Sequence, residues 1–178
     1  MKGVIFTEFL QFVAKSWDEN LVDDLLDAAD LPSGGAYTTV GTYDHREIVT
    51  LLRLLSQKSG LDDAELLQRY GRHLALRFAQ DFPEFFDRCA CLFDFLASVD
   101  AYVHVEVRKL YPDAELPNFE ILQQKDSLFS MIYRSARGME ALAMGLIEGA
   151  AIHYGVSIAL QAEKRSEAVI FTIEEMAA

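Results

Sequence analysis

The spacing of apolar residues changes at Asp113–Pro117, and this limits the fold more than any other feature of the chain. Upstream, Val4, Ile5, Phe9, Phe12 and Val13 mark a helix over residues 2–16, and Leu21, Leu25 and Leu26 share one face of a second from Trp17 to Asp27. Leu31-Pro32-Ser33-Gly34-Gly35 is a break, and Tyr37 to Val40 reads as a short extended piece. The helical period resumes after Asp44 with Ile48, Leu51, Leu52, Leu54 and Leu55, stops at Ser59-Gly60, and restarts behind Asp62 to about Phe78. Pro83 interrupts it, and one long helix is expected from roughly Asp87 to Leu110.

Beyond the loop the pattern is that of strands. Phe119 to Leu122 and Leu128 to Tyr133 flank the polar turn Gln124-Lys125-Asp126, and Val156 to Gln161 and Ala168 to Ile173 form a second hairpin around Glu163 to Ser166. Met139 to Tyr154, rich in small residues, is a helix between the hairpins. The order predicts an α+β fold: an N-terminal helical half packed on a four-stranded antiparallel sheet with an intervening helix. With 178 residues and no internal repeat or linker, residues 1–178 are expected to form one domain.

Twenty-eight acidic residues against 16 basic ones give a net charge of −12, a balance that repels phosphate backbones and anionic lipid. No nucleic-acid or membrane partner is therefore expected. The chain has no apolar run near the roughly 20 residues of a membrane span, and no signal peptide at its start; a cytoplasmic protein is the expectation. Cys89 and Cys91 are expected as reduced, partly buried thiols, too close to bridge within a helix and without further cysteines to complete a zinc set.

Of the histidines, His45 and His73 sit in polar, Arg-containing stretches and His153 near a helix end, as surface or capping residues do. His104 closes the largely apolar run Phe95-Leu96-Ala97-Ser98-Val99-Asp100-Ala101-Tyr102-Val103. A neutral imidazole there suits an iron ligand; a core histidine bonded to a backbone carbonyl accounts for the same pattern. Tyr133-Arg134-Ser135-Ala136-Arg137 is the second feature. In a strand, alternate residues lie about 6.6 Å apart on one face. Two hydroxyls and a guanidinium would then point together, a row suited to paired carboxylates or, equally, to an exposed face beside an acidic neighbour. The small residues of Gly145-Leu146-Ile147-Glu148-Gly149-Ala150-Ala151 let a helix approach a flat object, or pack closely on a sheet. No phosphate-binding loop, dinucleotide fingerprint, nucleophile elbow or His-Glu-x-x-His occurs, and no carboxylate pair stands out; an enzyme is not expected.

Together, His104, Leu110-Tyr111-Pro112-Asp113-Ala114-Glu115-Leu116-Pro117, Tyr133-x-Ser135-x-Arg137, the opening Met1-Lys2-Gly3-Val4-Ile5 and Gly145-Leu146-Ile147-Glu148-Gly149 resemble the H-NOX (haem-nitric oxide/oxygen binding) family in its stand-alone bacterial type. The likeness spans essentially the whole chain. It implies a haem b between the two halves, with His104 as proximal iron ligand, Tyr133, Ser135 and Arg137 clamping the propionates, and Pro117 pressing on the porphyrin. It places Ile5, Phe9, Leu74, Phe78 and Leu142 on the distal side, with Leu146 also against the cofactor.

Oxygen-binding members carry a tyrosine nine residues after the motif tyrosine; here that position is Leu142. Without its hydroxyl, dioxygen loses a hydrogen bond of about 0.5–1.5 kcal/mol, and more in a dry pocket. The resemblance thus implies an NO-selective, O₂-excluding sensor. Binding of NO would weaken the bond from iron to His104 and relax the haem against Pro117. The change would pass to a separate partner, by family analogy a histidine kinase or a cyclic-di-GMP enzyme. The alternatives are an oxygen-binding haem sensor or carrier, disfavoured by Leu142, and a peroxidase-type haem enzyme, which needs distal acid–base groups. Glu140 stands where some bacterial relatives carry a zinc-binding cysteine, so a zinc thiol switch is not expected.

Overall fold

The computed structural model describes residues 1–176, which gather into two compact units divided within one helix, at residues 70 and 71. In the first unit, α1 (Gly3–Ser16), α2 (Glu19–Ala28), α3 (His45–Ser59) and the start of α4 (Asp63–Asp81) follow the apolar spacing. Asp18, Asp44 and Asp62 cap α2, α3 and α4 by accepting from Leu21, Arg46 and Glu65 N–H, each at 2.9 Å. Gly60, at φ 74°, ends α3. The core is Phe6, Phe9, Val13, Leu25, Leu51, Leu55, Leu66 and Tyr70, all fully buried.

Tyr37–Val40 is not a strand. The segment is held by aromatic packing and by single backbone bonds to the start of α1: Tyr37 stacks on Phe6 at 4.5 Å and donates to the buried Glu47 carboxylate at 2.8 Å, the Val4 N–H donates to the Thr39 carbonyl at 3.0 Å, and Lys2 and Thr42 form an isolated bridge. Among the described residues no strand lies beside it to complete a ladder.

The second unit contains the rest of α4, then α5 (Pro83–Asp87), α6 (Leu92–Ser98), a π-helical turn (Val99–Val103), α7 (His104–Leu110), α8 (Glu140–His153) and four strands. The strands β1 (Asn118–Gln124), β2 (Leu128–Arg134), β3 (Ile158–Lys164) and β4 (Val169–Glu175) form an antiparallel sheet ordered β1-β2-β4-β3. Alternation places Phe129, Met131 and Tyr133 of β2 with Val169, Phe171 and Ile173 of β4 on one buried face. Phe93 and Leu96 of α6 and Ala143, Ile147 and Ala150 of α8 belong to the same core.

The single helix expected from Asp87 to Leu110 is broken. Phe86 and Phe95 stack at 4.4 Å between ring centroids. Nine residues along a straight helix would hold them about 13.5 Å apart, so the chain turns back at Arg88–Cys91 to bring the rings together. Cys89 and Cys91 lie in that turn, Cys89 half-buried and Cys91 exposed. Among the described residues no helix is long and apolar enough to cross a membrane.

Candidate functional site

His104 follows the π-turn directly: its N–H donates to the carbonyl of Val99, five residues back. Such turns recur at functional positions because they re-aim the next side chain. The His104 ring is buried, with Nδ1 3.1 Å from Oδ1 of Asp100. The other oxygen of Asp100 accepts from the Asn118 amide at 3.1 Å. The partner is thus a carboxylate, not the backbone carbonyl that a plain core histidine would use. Burial lowers the pKa of His104, Asp100 pulls against it, and the nearby Arg108 charge adds to the lowering. A neutral ring whose Nδ1–H points at a carboxylate leaves the Nε2 lone pair for a metal.

A row of rings runs from His104 to Phe119 at 5.8 Å and on to Tyr133 at 5.5 Å. Tyr133 is buried in β2, opposite Phe119 of β1. Ser135 and Arg137, however, do not continue the strand. β2 ends at Arg134, and the next residues turn toward α8 with the Arg137 N–H on Ser135 Oγ at 3.3 Å. The pleat therefore does not align the three side chains; Ser135 and Arg137 lie in the turn that follows it. Burial raises the Tyr133 phenol pKa, while the Ser135 hydroxyl and the Arg137 charge lower it. Arg134 departs to Glu120 of β1 at 2.8 Å.

Arg137 already grips a carboxylate. Its Nη2 lies 2.7 Å from Oε2 of Glu115, and Nη1 donates to the Glu115 carbonyl at 2.9 Å. The Arg137 side chain is 15% exposed and that of Glu115 84%, so the guanidinium is fixed by the fold and its acidic partner is the replaceable one. Half-buried Pro117 lies two residues further on, beside Asn118. A neutral imidazole, two hydroxyls and a carboxylate-gripping guanidinium in one unit are the donor set that a dicarboxylate metal cofactor such as haem requires; the residues fit it.

The other residues that the resemblance sets against the cofactor fall in both units. In the first, Phe9 is fully buried edge-on to Tyr70 at 5.3 Å, and half-buried Ile5 offers its carbonyl to the Tyr70 hydroxyl. Tyr70 is the polar group missed in the sequence, where it continues the Leu66–Leu74 stripe; a buried tyrosine needs a partner, and this one takes the Ile5 carbonyl. In the second unit Leu74 is buried and Phe78 half-buried on α4, while Leu142 and Leu146 are half-buried on α8.

Gly149 of α8 lets that helix lie close against α4, while Ala143 and Ala150 belong to the core of the sheet's buried face. A Cβ on Gly149 would lie 2.6 Å from Ala75 Cβ and 2.8 Å from the Arg72 carbonyl oxygen, both on α4. His45 sits 3.4 Å from Asp44 and exposed His153 packs on Phe86 at 4.9 Å. Glu140 pairs with Lys164 at 2.9 Å.

The family model described as haem-NO-binding matches residues 2–162. The chain belongs to the H-NOX family. Its fold is that of the H-NOX protein from K. algicida in the Fe(II) unliganded state, at 34% identity and TM-score 0.94 over 100% of this chain and 98% of that one. The H-NOX from Shewanella woodyi, solved in solution in the Fe(II)CO state with IWP-051 bound, is 33% identical with TM-score 0.85, covering 99% and 95%. An H-NOX protein from S. oneidensis in the Fe(II)NO state shares the fold at TM-score 0.90 and 21% identity, over 99% of this chain and 100% of that one. No curated protein matches the chain. H-NOX domains are haem-based gas sensors and not enzymes.

Proposed function

We propose that residues 1–178 act as a single haem b sensor domain in the cytoplasm, selective for nitric oxide over dioxygen, that signals to a separate protein. The observation that carries this reading is buried His104 with Nδ1 on Asp100, in the same unit as the Arg137 carboxylate clamp. When bound, the haem supplies an iron centre that takes up a diatomic gas.

The chain's own residues do the rest. His104 would hold the iron. Tyr133, Ser135 and Arg137 would bind the propionate carboxylates, for which Arg137 would give up Glu115. Pro117, at the entry to β1, would bear on the porphyrin as the family pattern has it. Ile5, Phe9, Leu74, Phe78, Leu142 and Leu146 present only apolar side chains, and the Tyr70 hydroxyl is committed to the Ile5 carbonyl. Dioxygen would find no donor among these six side chains, a deficit of about 0.5–1.5 kcal/mol or more when dry, whereas nitric oxide does not depend on one. Loosening of His104 would free α7, and a partner of the histidine kinase or cyclic-di-GMP enzyme kind responds if it binds the two states unequally.

The test is the absorption spectrum of the reduced, haem-loaded protein in air and then under nitric oxide. The expected result is no change in air and a shift with nitric oxide. A stable ferrous–oxy spectrum in air would establish an oxygen carrier instead.

A further inference from the structure

We infer that Asp100 and Asn118 form a hydrogen-bonded relay that orients His104 and strengthens its hold on an iron atom. The inference rests on the haem reading above and adds positioning residues that do not themselves touch the cofactor.

Three features carry it. The first is the continuity of the contacts: Asn118 Nδ2 to Asp100 Oδ2 at 3.1 Å, then Asp100 Oδ1 to His104 Nδ1 at 3.1 Å. Both carboxylate oxygens are engaged, so the group cannot swing away from the ring without breaking the second bond. The second is the anchoring of each end. Asp100 lies inside the π-turn that closes on the His104 N–H, and Asn118 is the first residue of β1, paired across the ladder with Arg134. Helix and sheet thus fix the ring from two directions. The third is burial: the His104 side chain is 11% exposed and that of Asp100 32%, so water competes little for Nδ1.

A carboxylate drawing on Nδ1–H leaves more electron density at Nε2, which makes the imidazole a stronger donor to a metal. In a haem protein that density appears as a stiffer iron–histidine bond and a lower reduction potential. Pro117 immediately precedes Asn118, so a shift of this segment would also pull on the relay and loosen the grip of His104.

Asp100 serving only to cap the π-turn would account for the same contacts but would not move the electronic readouts. Resonance Raman spectra of the ferrous, haem-loaded protein report the iron–histidine stretch, and redox titration reports the midpoint potential. Asp100→Ala is expected to lower the stretching frequency, raise the potential and speed haem loss on the order of 10-fold. Asp100→Asn, uncharged and of the same shape, should fall between Asp100→Ala and wild type, and it carries the comparison alone if Asp100→Ala does not fold. A Soret band in every variant with unmoved stretch and potential would overturn the relay and leave the haem reading standing. Absence of a Soret band in the wild type would overturn both.

Discussion

Gly149 sits where α8 meets α4, and the atoms a methyl group would strike there are the Ala75 Cβ and the Arg72 backbone, none of which can rotate away. Gly149→Ala is therefore expected to cost about 1–3 kcal/mol by overpacking. For a domain of this size that is about 2–4 °C of melting temperature per kcal/mol. An unchanged thermal melt would show that the two helices separate without penalty. At this scale the sequence was most informative about chemistry. His104 and Arg137 were legible only as candidates: a core histidine and an exposed strand face beside an acid accounted for the same residues, and the family resemblance chose between the readings. Asp100 was not legible as a partner. It lies four residues before His104, as many incidental acids lie near a histidine, and only the fold shows it bonded to the ring.

Among the elements, β2 and β4 were legible from period alone, since one face of each is buried more deeply than the other, whereas α8 was read from its small residues. What period could not show was where a helix stops being an α-helix. Val99–Val103 keeps an apolar character through a π-turn, and Arg88–Cys91 breaks the chain for the sake of a Phe86–Phe95 stack that no local signal announces. The approach of α8 to α4 was also hidden, because small residues permit close packing without naming the neighbour. One contact between elements is testable by pH. Glu140 on α8 bonds Lys164 on β3, and that bond holds the Glu140 carboxyl below its ordinary 4.5. A depressed carboxylate contributes stability above its unfolded pKa and loses it as pH falls through the folded one. In urea titrations, wild type should exceed Glu140→Gln at pH 6, and the gap should close as pH drops below 4.5. A gap that persists at pH 3 would place the effect elsewhere than in this ion pair.

Over the whole molecule, the change of period at Asp113–Pro117 foretold an α+β chain with helices first and an antiparallel sheet last, and the H-NOX fold has that order. The net charge of −12 bears on partners and not on fold: under the proposed function it favours a partner with a basic docking face. The proposed gas selectivity stands or falls with the claim beneath it, that His104 holds a haem. The most direct measurement of that claim is the absorption spectrum of the haem-reconstituted, reduced wild type beside His104→Ala. The account predicts a Soret band with a five-coordinate ferrous signature in the wild type, and its loss or displacement in the variant. No Soret band in the wild type, or identical spectra for the two proteins, would contradict it.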